Sequence, residues 1–346
     1  MKNKSIETNM LMCIWLALIT SCASFVGTSV DAIPTQELIF PKAEYYNALI
    51  RANDNVIVLV DDGNLGDLQS YAREGDQEFT QIVFPDDSQC DKEKYYAYET
   101  LPDGRLQIWK LCPTQNGTVD YLMAYDWSTR KFEELAGPLP LGSSGASWNP
   151  DQTKAIAYLD GGFATKTIYW ISNNSFSPLD LVVNDKSHSW NLQDDFPDFK
   201  ADDTGKTGTT GRAAWSPDGN SIAFFASPDA IGKTGSNRFG VEFNIYLMNP
   251  TTLQYQVATD NVYSPFLIQW SPDSMQIAFI GKYGSWKEEG IWLYSPNTNS
   301  VTNIARGKFQ SILWTSDGKS LVAISCKDSY ECSKIYKYDI THILEP

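Results

Sequence analysis

The sequence has 346 residues, a formal net charge of −15 and a hydrophobic fraction of 42%. The acidity argues against nucleic acid as a partner, because phosphates would be repelled. It also argues against a basic patch that holds an anionic membrane surface. The length is sufficient for one large all-β domain or two smaller domains.

The first residues have the features of a bacterial secretion signal. Two lysines precede an apolar run over residues 10–20, which is too short to span a bilayer as a helix but suits a signal peptide. The run leads into Ile-Thr-Ser-Cys, which resembles a lipobox. The pattern predicts a signal peptide over residues 1–21, a lipidated Cys22 at a bacterial membrane, and a tether over residues 22–36. An ordinary signal peptide, giving a secreted or periplasmic protein, is the alternative.

One phrase recurs along the chain. Each copy has a tryptophan, an aspartate in a turn, and then β-branched and aromatic residues. The copies are WNPDQTKAIAY, WSPDGNSIAFF, WSPDSMQIAFI and WTSDGKSLVAI, beginning at Trp148, Trp215, Trp270 and Trp314. A degenerate fifth copy, TLPDGRLQIW, spans residues 100–109 and has no tryptophan at its start. Proline presets a turn angle, aspartate bonds the turn backbone and glycine accepts a positive φ, so the phrase predicts a hairpin. We interpret it as structural.

An aliphatic-aromatic pair opens a further strand after each copy. These pairs are Ile168-Tyr169, Ile245-Tyr246, Ile291-Trp292 and Ile335-Tyr336. The base period, about 44 residues with four short strands, is typical of a propeller blade. The pattern resembles the WD-repeat-like blades of TolB-type propellers, and related blades occur in prolyl-oligopeptidase-class enzymes. The resemblance is good over residues 148–339 and weaker before them.

The repeat predicts an all-β propeller of six four-stranded blades, with seven as the alternative, in one domain over residues 37–346. The last repeat runs out of chain near residue 339. We therefore expect an N-terminal strand over residues 37–43 to complete the last blade and close the ring, which hides an edge strand.

Four cysteines follow Cys22. An even number in an exported chain predicts disulfides. The strand assignment brings Cys90 to the same face as Cys112, whereas Cys326 and Cys332 bracket one loop, so we expect these two pairs. The spacings fit no zinc pattern, and the sequence predicts neither a metal nor a cofactor.

Insertions interrupt the repeats at residues 184–212, 227–241 and 281–290. In an up-and-down propeller all three lie on the face opposite the repeated turns. Function is often carried by loops on a rigid scaffold, so we expect a binding surface there. Its candidate aromatic contacts are Trp190, Phe196, Phe199, Phe239, Tyr283 and Trp286. Each also fits a role in pinning a loop to the blade beneath. The acidic stretch over residues 194–203 matches no calcium-loop pattern and is interpreted as solvated.

The sequence identifies no catalytic set. Only two histidines occur, and neither has a partner that the sequence can name. The resemblance to TolB-type propellers implies non-catalytic recognition of a protein or surface glycan at the cell envelope, with membrane attachment through the lipid. The alternative is a carbohydrate-active hydrolase or lyase with carboxylates in the propeller channel. Two carboxylates about 5–10 Å apart in a concave site would favour that enzyme.

Overall fold

The computed structural model describes residues 34–43, 45–61, 68–85, 90, 94–114, 117–139, 143–160, 166–172, 175–178, 180–183, 186–189, 213–226, 242–252, 254–284, 289–327 and 331–344. Within these ranges the regular structure consists of antiparallel β-sheets and one short helix near the C-terminus. The N-terminal strand β1, Pro34–Glu37, belongs to the last sheet of the chain and is described with it.

Three four-stranded sheets follow β1, each with its strands in sequence order. The first contains β2 (Ala48–Ala52), β3 (Asn55–Asp61), β4 (Leu68–Arg73) and β5 (Thr80–Gln81). The second contains β6 (Lys94–Thr100), β7 (Leu106–Thr114), β8 (Gly117–Asp126) and β9 (Lys131–Leu139). The third contains β10 (Ser143–Trp148), β11 (Ala155–Asp160), β12 (Lys166–Ser172) and β13 (Ser175–Pro178). A separate hairpin pairs β14 (Asp180–Val183) with β15 (Lys186–Ser189).

The next sheet has seven strands because one long strand serves two neighbours. Its members are β16 (Ala214–Trp215), β17 (Ile222–Ala226), β18 (Glu242–Met248), β19 (Tyr255–Trp270), β20 (Ile277–Tyr283), β21 (Gly290–Ser295) and β22 (Ser300–Arg306). The first part of β19 pairs with β18 and its last part pairs with β20. Between them the register shifts, and Asn261 and Ser264 adopt φ angles of 60° and 49°. The strand therefore bends as it passes from one four-stranded unit to the next.

The last sheet joins the two ends of the chain. It contains β23 (Lys308–Trp314), β24 (Ser320–Cys326), β25 (Lys334–Asp339) and β1 in spatial order. β1 runs antiparallel to β25, and the Leu38 amide extends the pairing by donating to the Ile335 carbonyl at 2.9 Å. Closure by an N-terminal strand is thus confirmed. The short helix α1, Thr341–Leu344, follows β25.

The position of the closing strand differs from the expectation of residues 37–43. Pairing begins at Pro34 and ends near Leu38, inside the segment expected to be a tether. Pro41 supplies the physical reason, because it has no N–H to donate and interrupts a strand across residues 37–43. The chain instead turns onto the core, where the Tyr46 hydroxyl donates to the Pro41 carbonyl at 3.0 Å.

The innermost strands of these sheets form a closed ring. Neighbours approach each other in the order β2, β6, β10, β16, β19, β23 and back to β2. We call these six the inner strands, counting only the C-terminal half of β19. Apolar residues fill the spaces between adjacent sheets; Ile245, Ile291 and Ile335, which open the second signature of the repeat, are each at most 1% exposed. The all-β propeller is thereby confirmed, and the count of six blades stays a prediction.

Candidate functional site

Each inner strand ends in a turn that leads to the second strand of its sheet. The six inner-strand turns are residues 53–54, 101–105, 149–154, 216–221, 271–276 and 315–319. In the turn after β16, the Ser216 hydroxyl donates to Asp218 Oδ1 at 2.6 Å and accepts the Ser221 amide at 2.9 Å. Asp218 also accepts the Asn220 amide at 3.0 Å. The same arrangement recurs at Ser271 with Asp273 and at Thr315 with Asp317.

Two of these turn aspartates, Asp218 and Asp317, are stabilised as carboxylates. A hydrogen bond from the Thr315 hydroxyl, followed by one from the Lys319 amide, lowers the pKa of Asp317. At Asp218, burial raises the pKa, but hydrogen bonds led by the Ser216 hydroxyl outweigh it and the net pKa is lowered. These carboxylates are engaged within their own turns, which supports the structural interpretation of the repeated phrase.

Tryptophan side chains near the turns bond to neighbouring units of the ring. The Trp270 indole N–H donates to the Ala214 carbonyl at 2.9 Å, and that of Trp148 donates to Gln107 Oε1 at 2.7 Å. The Trp314 indole likewise donates to the Gln269 carbonyl on the neighbouring inner strand, whereas the Trp215 indole donates to the Gly219 carbonyl within its own turn. Trp270 is only 9% exposed, so these rings act mainly as packing between sheets.

Hydroxyl groups link the inner strands directly. The amides of Leu49 and Arg51 donate to Ser311 Oγ at 3.1 Å and Thr100 Oγ1 at 2.9 Å, so β2 is held by both of its neighbours in the ring. These bonds use backbone donors on the inner edge of the sheet, which would otherwise face the channel unpaired.

A cavity of about 560 Å³ lies inside the ring at the end formed by the inner-strand turns. All six inner strands contribute to its wall. Prolines from four turns line it: Pro102, Pro150, Pro217 and Pro272. Its charged lining residues are Arg51, Glu99 and Asp103. The cavity therefore combines an apolar rim with a few charged groups.

The charged groups of the cavity differ in how they are paired. Asp103 accepts the Arg105 Nε–H at 2.6 Å, and Arg105 also contacts Glu133. Burial raises the pKa of Asp103, but the Arg105 amide and side-chain hydrogen bonds outweigh it, so its net pKa is lowered. Arg51 is half-buried, and no residue in the described ranges forms a hydrogen bond or ion pair with its guanidinium.

The cavity lies at the end of β20 opposite to Tyr283, which is one of the candidate contacts from the sequence. Of the candidate contacts, only Tyr283 is described. It is half-buried at the end of β20, where its hydroxyl lies 3.1 Å from Thr259 Oγ1 and its ring packs 5.4 Å from Trp292. The acidic stretch 194–203 lies outside the described residues. So do the remaining candidates, which are Trp190, Phe196, Phe199, Phe239 and Trp286.

Sequence reasoning missed Arg51. The available signal was a single arginine in the strand Ala-Leu-Ile-Arg-Ala, between otherwise apolar residues. The first sheet carries no clear copy of the repeated phrase, so the sequence does not identify β2 as an inner strand. The cavity that Arg51 lines forms only when all six inner strands are brought together.

Both expected disulfides are present. Cys90 pairs with Cys112 across a separation of 22 residues, and Cys326 pairs with Cys332 across 6. The carbonyl of Cys332 accepts the Tyr46 amide at 2.8 Å, so the shorter bridge adjoins the segment that follows the closing strand. The bridges indicate an oxidising, extracytoplasmic compartment.

The described residues contain neither a metal-site cluster nor a membrane-spanning helix. No group of three or more His, Cys, Asp or Glu side chains in this part of the chain is arranged to hold a metal ion. In the same ranges, no helix has the length and apolar character needed to cross a membrane.

The ring of radial sheets around a lined cavity defines a β-propeller with a ligand-sized pocket at one end. No protein-family model and no curated protein sequence matches the chain. Among solved structures, a putative TolB from Agrobacterium tumefaciens aligns with a TM-score of 0.50 at 14% identity, covering 86% of this chain and 90% of that chain. TolB from Acinetobacter baumannii aligns with a TM-score of 0.48 at 14% identity, covering 94% of this chain and 67% of that chain.

An oligogalacturonate lyase from Vibrio parahaemolyticus gives a TM-score of 0.49 at 13% identity, covering 90% of this chain and 93% of that chain. At such identities a likeness concerns the fold alone. The chain thus has a TolB-like β-propeller fold.

Proposed function

We propose that this chain is an exported, lipid-anchored binding module that recognises a partner at the cell envelope through the cavity at the inner-strand turns. The observation that carries the proposal is the cavity itself. Its volume of about 560 Å³ falls within the range of roughly 300–1,000 Å³ that is usual for ligand pockets. Its wall is formed by inner strands that are hydrogen-bonded to one another, so the pocket is preformed.

The lining favours a protein partner over a glycan. Exposed proline rings at the rim, such as Pro102 and Pro150, offer apolar contact to a peptide. Of the four lining tryptophans, Trp215, Trp270 and Trp314 are each at most 9% exposed, so their ring faces are already covered and cannot stack on a sugar. Trp148 is partly exposed, but its indole N–H is already bonded to Gln107. Asp103, with its lowered pKa and its pairing to Arg105, is unsuited to be the general acid of the alternative, a carbohydrate-active hydrolase.

Attachment through Cys22 completes the proposal. A lipid on this residue would leave a short tether before β1, whose first residue is Pro34. Membrane fractionation of the wild-type chain and of Cys22→Ser tests the anchor. We expect the wild type in the membrane fraction and the variant in the soluble fraction; membrane association of both would contradict lipidation at Cys22.

The binding site is tested by photo-crosslinking in cells. A photoreactive amino acid replaces Pro102 or Pro150 at the cavity rim, or the exposed Val257 on β19 as a control away from the cavity. We expect crosslinked partner bands from the rim positions and none from Val257. Further probes at Trp190 and Trp286 examine the loop face that the sequence favoured.

The outcomes separate the possibilities. Bands from the rim alone support the cavity as the binding site, whereas bands from the loop positions alone place binding on the opposite face. If no position gives a band, the binding module is the wrong class, and bond cleavage in acidic polysaccharides becomes the assay for the enzymatic alternative.

A further inference from the structure

Arg51 is fixed at the wall of the cavity before any ligand arrives. It lies on β2, where alternate residues share one face, so Leu49, Arg51 and Asn53 line the cavity together. Its amide donates to Thr100 Oγ1 at 2.9 Å, and that of Leu49 donates to Ser311 Oγ at 3.1 Å. The strand is therefore held from both sides, and the side chain starts from a defined position.

The guanidinium of Arg51 lacks a close partner in the described part of the chain. Asp54 and Asp317 act on it only by longer-range attraction, and the Asp317 carboxylate already binds the Thr315 hydroxyl and the Lys319 amide. Burial lowers the pKa of Arg51, and the two aspartates only partly offset this. A half-buried cation with five N–H donors and no acceptor is unfavourable, and an anion in the cavity would relieve it.

The shape of the guanidinium selects the anion. Its planar fork matches the two oxygens of a carboxylate, which it binds through two parallel hydrogen bonds. The other charged lining groups, Glu99 and Asp103, are acidic, and Asp103 is paired with Arg105. Arg51 is thus the sole cation among the lining residues of the described ranges. Because the whole chain carries a net charge of −15, an acidic ligand would be recognised by this contact at short range and not by long-range attraction.

We propose that Arg51 is a specificity-determining residue that binds an Asp or Glu side chain of a peptide segment inserted into the cavity. This inference rests on the proposed function, because it assigns the chemistry of the ligand that the cavity accepts. The apolar proline rim contacts the flanking residues of the segment, and Arg51 selects the acidic one.

The probe is a displayed library of random heptapeptides, selected on the immobilised mature chain. We expect enrichment of Asp or Glu at one position of the selected peptides. One selected peptide is then synthesised in its acidic form and in its Glu→Gln or Asp→Asn form, and both are titrated against the protein by calorimetry.

Three variants isolate the contribution of the guanidinium. Arg51→Gln should bind the acidic peptide roughly 10- to 100-fold more weakly, the range for a hydrogen-bonded charge pair, and bind the amide form unchanged. Arg51→Lys should bind the acidic peptide with an affinity between those of the wild type and Arg51→Gln, because lysine keeps the charge but lacks the planar fork of the guanidinium. Arg73→Gln is the matched control: it removes the same charge from the same sheet, on an exposed position of β4 outside the cavity lining. Thermal unfolding checks that each variant is folded.

The possible results are distinguishable. Peptides that bind the wild type and Arg51→Gln equally well would overturn the inference and leave the proposed function standing. Arg51-dependent binding of a uronic-acid oligosaccharide, with no peptide selected, would overturn the peptide assignment. Failure to select any peptide or oligosaccharide would overturn the inference and the proposed function together.

Discussion

At the scale of single residues, the repeated phrase is a hydrogen-bonding device. A hydroxyl two positions before the aspartate binds both its carboxylate and an amide on the returning strand. The hydroxyl belongs to a serine at Ser216 and Ser271, and to Thr315 in the last sheet. Both serines are only 1% exposed, so the hydroxyl cannot be replaced by water without rearrangement. The sequence predicted the turn, but the buried second bond of the hydroxyl needed the structure.

Removal of one hydroxyl should destabilise the protein. Ser216→Ala leaves the Ser221 amide without its acceptor and removes one of the hydrogen bonds that Asp218 accepts, so we expect the free energy of unfolding to fall by about 1–3 kcal/mol. Ser216→Thr is the matched control, because Thr315 makes the same bonds, and it should change stability by less than half as much. Urea unfolding measures both. Equal losses in the two variants would show that the site tolerates no larger side chain and that the hydroxyl is not the cause.

The turn carboxylates predict a loss of stability in acid. Hydrogen bonds led by the Ser128 hydroxyl lower the pKa of Asp126 from its ordinary 3.8 to about 2, and those of Thr153 and Thr315 lower the pKa of Asp151 and Asp317. A depressed native pKa contributes stability above the unfolded value, which is lost as the pH falls through the native one. The melting temperature should therefore drop between about pH 4 and pH 2.

The control for this prediction is Asp126→Asn, which keeps an oxygen acceptor for the turn but does not titrate. Its melting temperature should depend less steeply on pH than that of the wild type over this window. An unchanged pH profile would mean that Asp126 contributes nothing to the acid transition.

At the scale of elements, sequence reasoning succeeded where local chemistry decides and failed where pairing partners decide. The hairpins around the phrase follow from the turn aspartate and from the residue after it, which has a positive φ whether it is glycine, as at Gly219, or not, as at Gln152. The 16-residue β19 does not, because its two halves are extended chain in two different sheets and only the bend at Asn261 and Ser264 separates them. The closing strand lies at Pro34–Glu37 and not at the expected residues 37–43 for a similar reason. The expected segment contains Pro41, which has no N–H to donate to a neighbouring strand.

The disulfides should contribute according to the loops they close. In the chain-entropy view, loss of Cys90–Cys112 by double alanine substitution lowers the free energy of unfolding by about 3 kcal/mol, and loss of Cys326–Cys332 by about 2 kcal/mol, since the loops span 22 and 6 residues. Denaturant unfolding of each double variant measures the difference. Reduction of the wild type should reproduce the combined effect. A larger effect of the shorter bridge would show that its contact with the segment after the closing strand dominates.

At the scale of the whole molecule, the ring links stability to the cavity. Bonds between neighbouring inner strands, such as Arg51 to Thr100 and Leu49 to Ser311, stabilise the ring and also shape the cavity wall. A single sequence shows that repeats exist and that they close, but not which side chains of different repeats meet at the centre. Arg51 could not be found for this reason, although the propeller itself could.

Ring closure makes the last prediction. Deletion of residues 34–40 removes β1, its pairing with β25, and Leu38, which is only 7% exposed. We expect a loss of at least about 3 kcal/mol, from one buried leucine and several hydrogen bonds, together with concentration-dependent association, because β25 becomes an open sheet edge. Deletion of residues 23–33 should leave stability unchanged. Unfolding curves and size-exclusion chromatography at several concentrations measure both effects.

Two point variants locate the cause within the closing segment. Leu38→Ala should account for much of the lost stability, whereas Ile39→Ala should have almost no effect, because Ile39 is 72% exposed beside it. If the deletion of residues 34–40 leaves the protein as stable as the deletion of residues 23–33, closure by β1 does not hold the ring together. The ring would then depend on packing between the sheets, and the lipid anchor that we propose at Cys22 could be pulled without opening the propeller. If the predicted loss is observed, force on the proposed anchor would act on ring closure itself, because the chain after Cys22 leads into the closing strand β1.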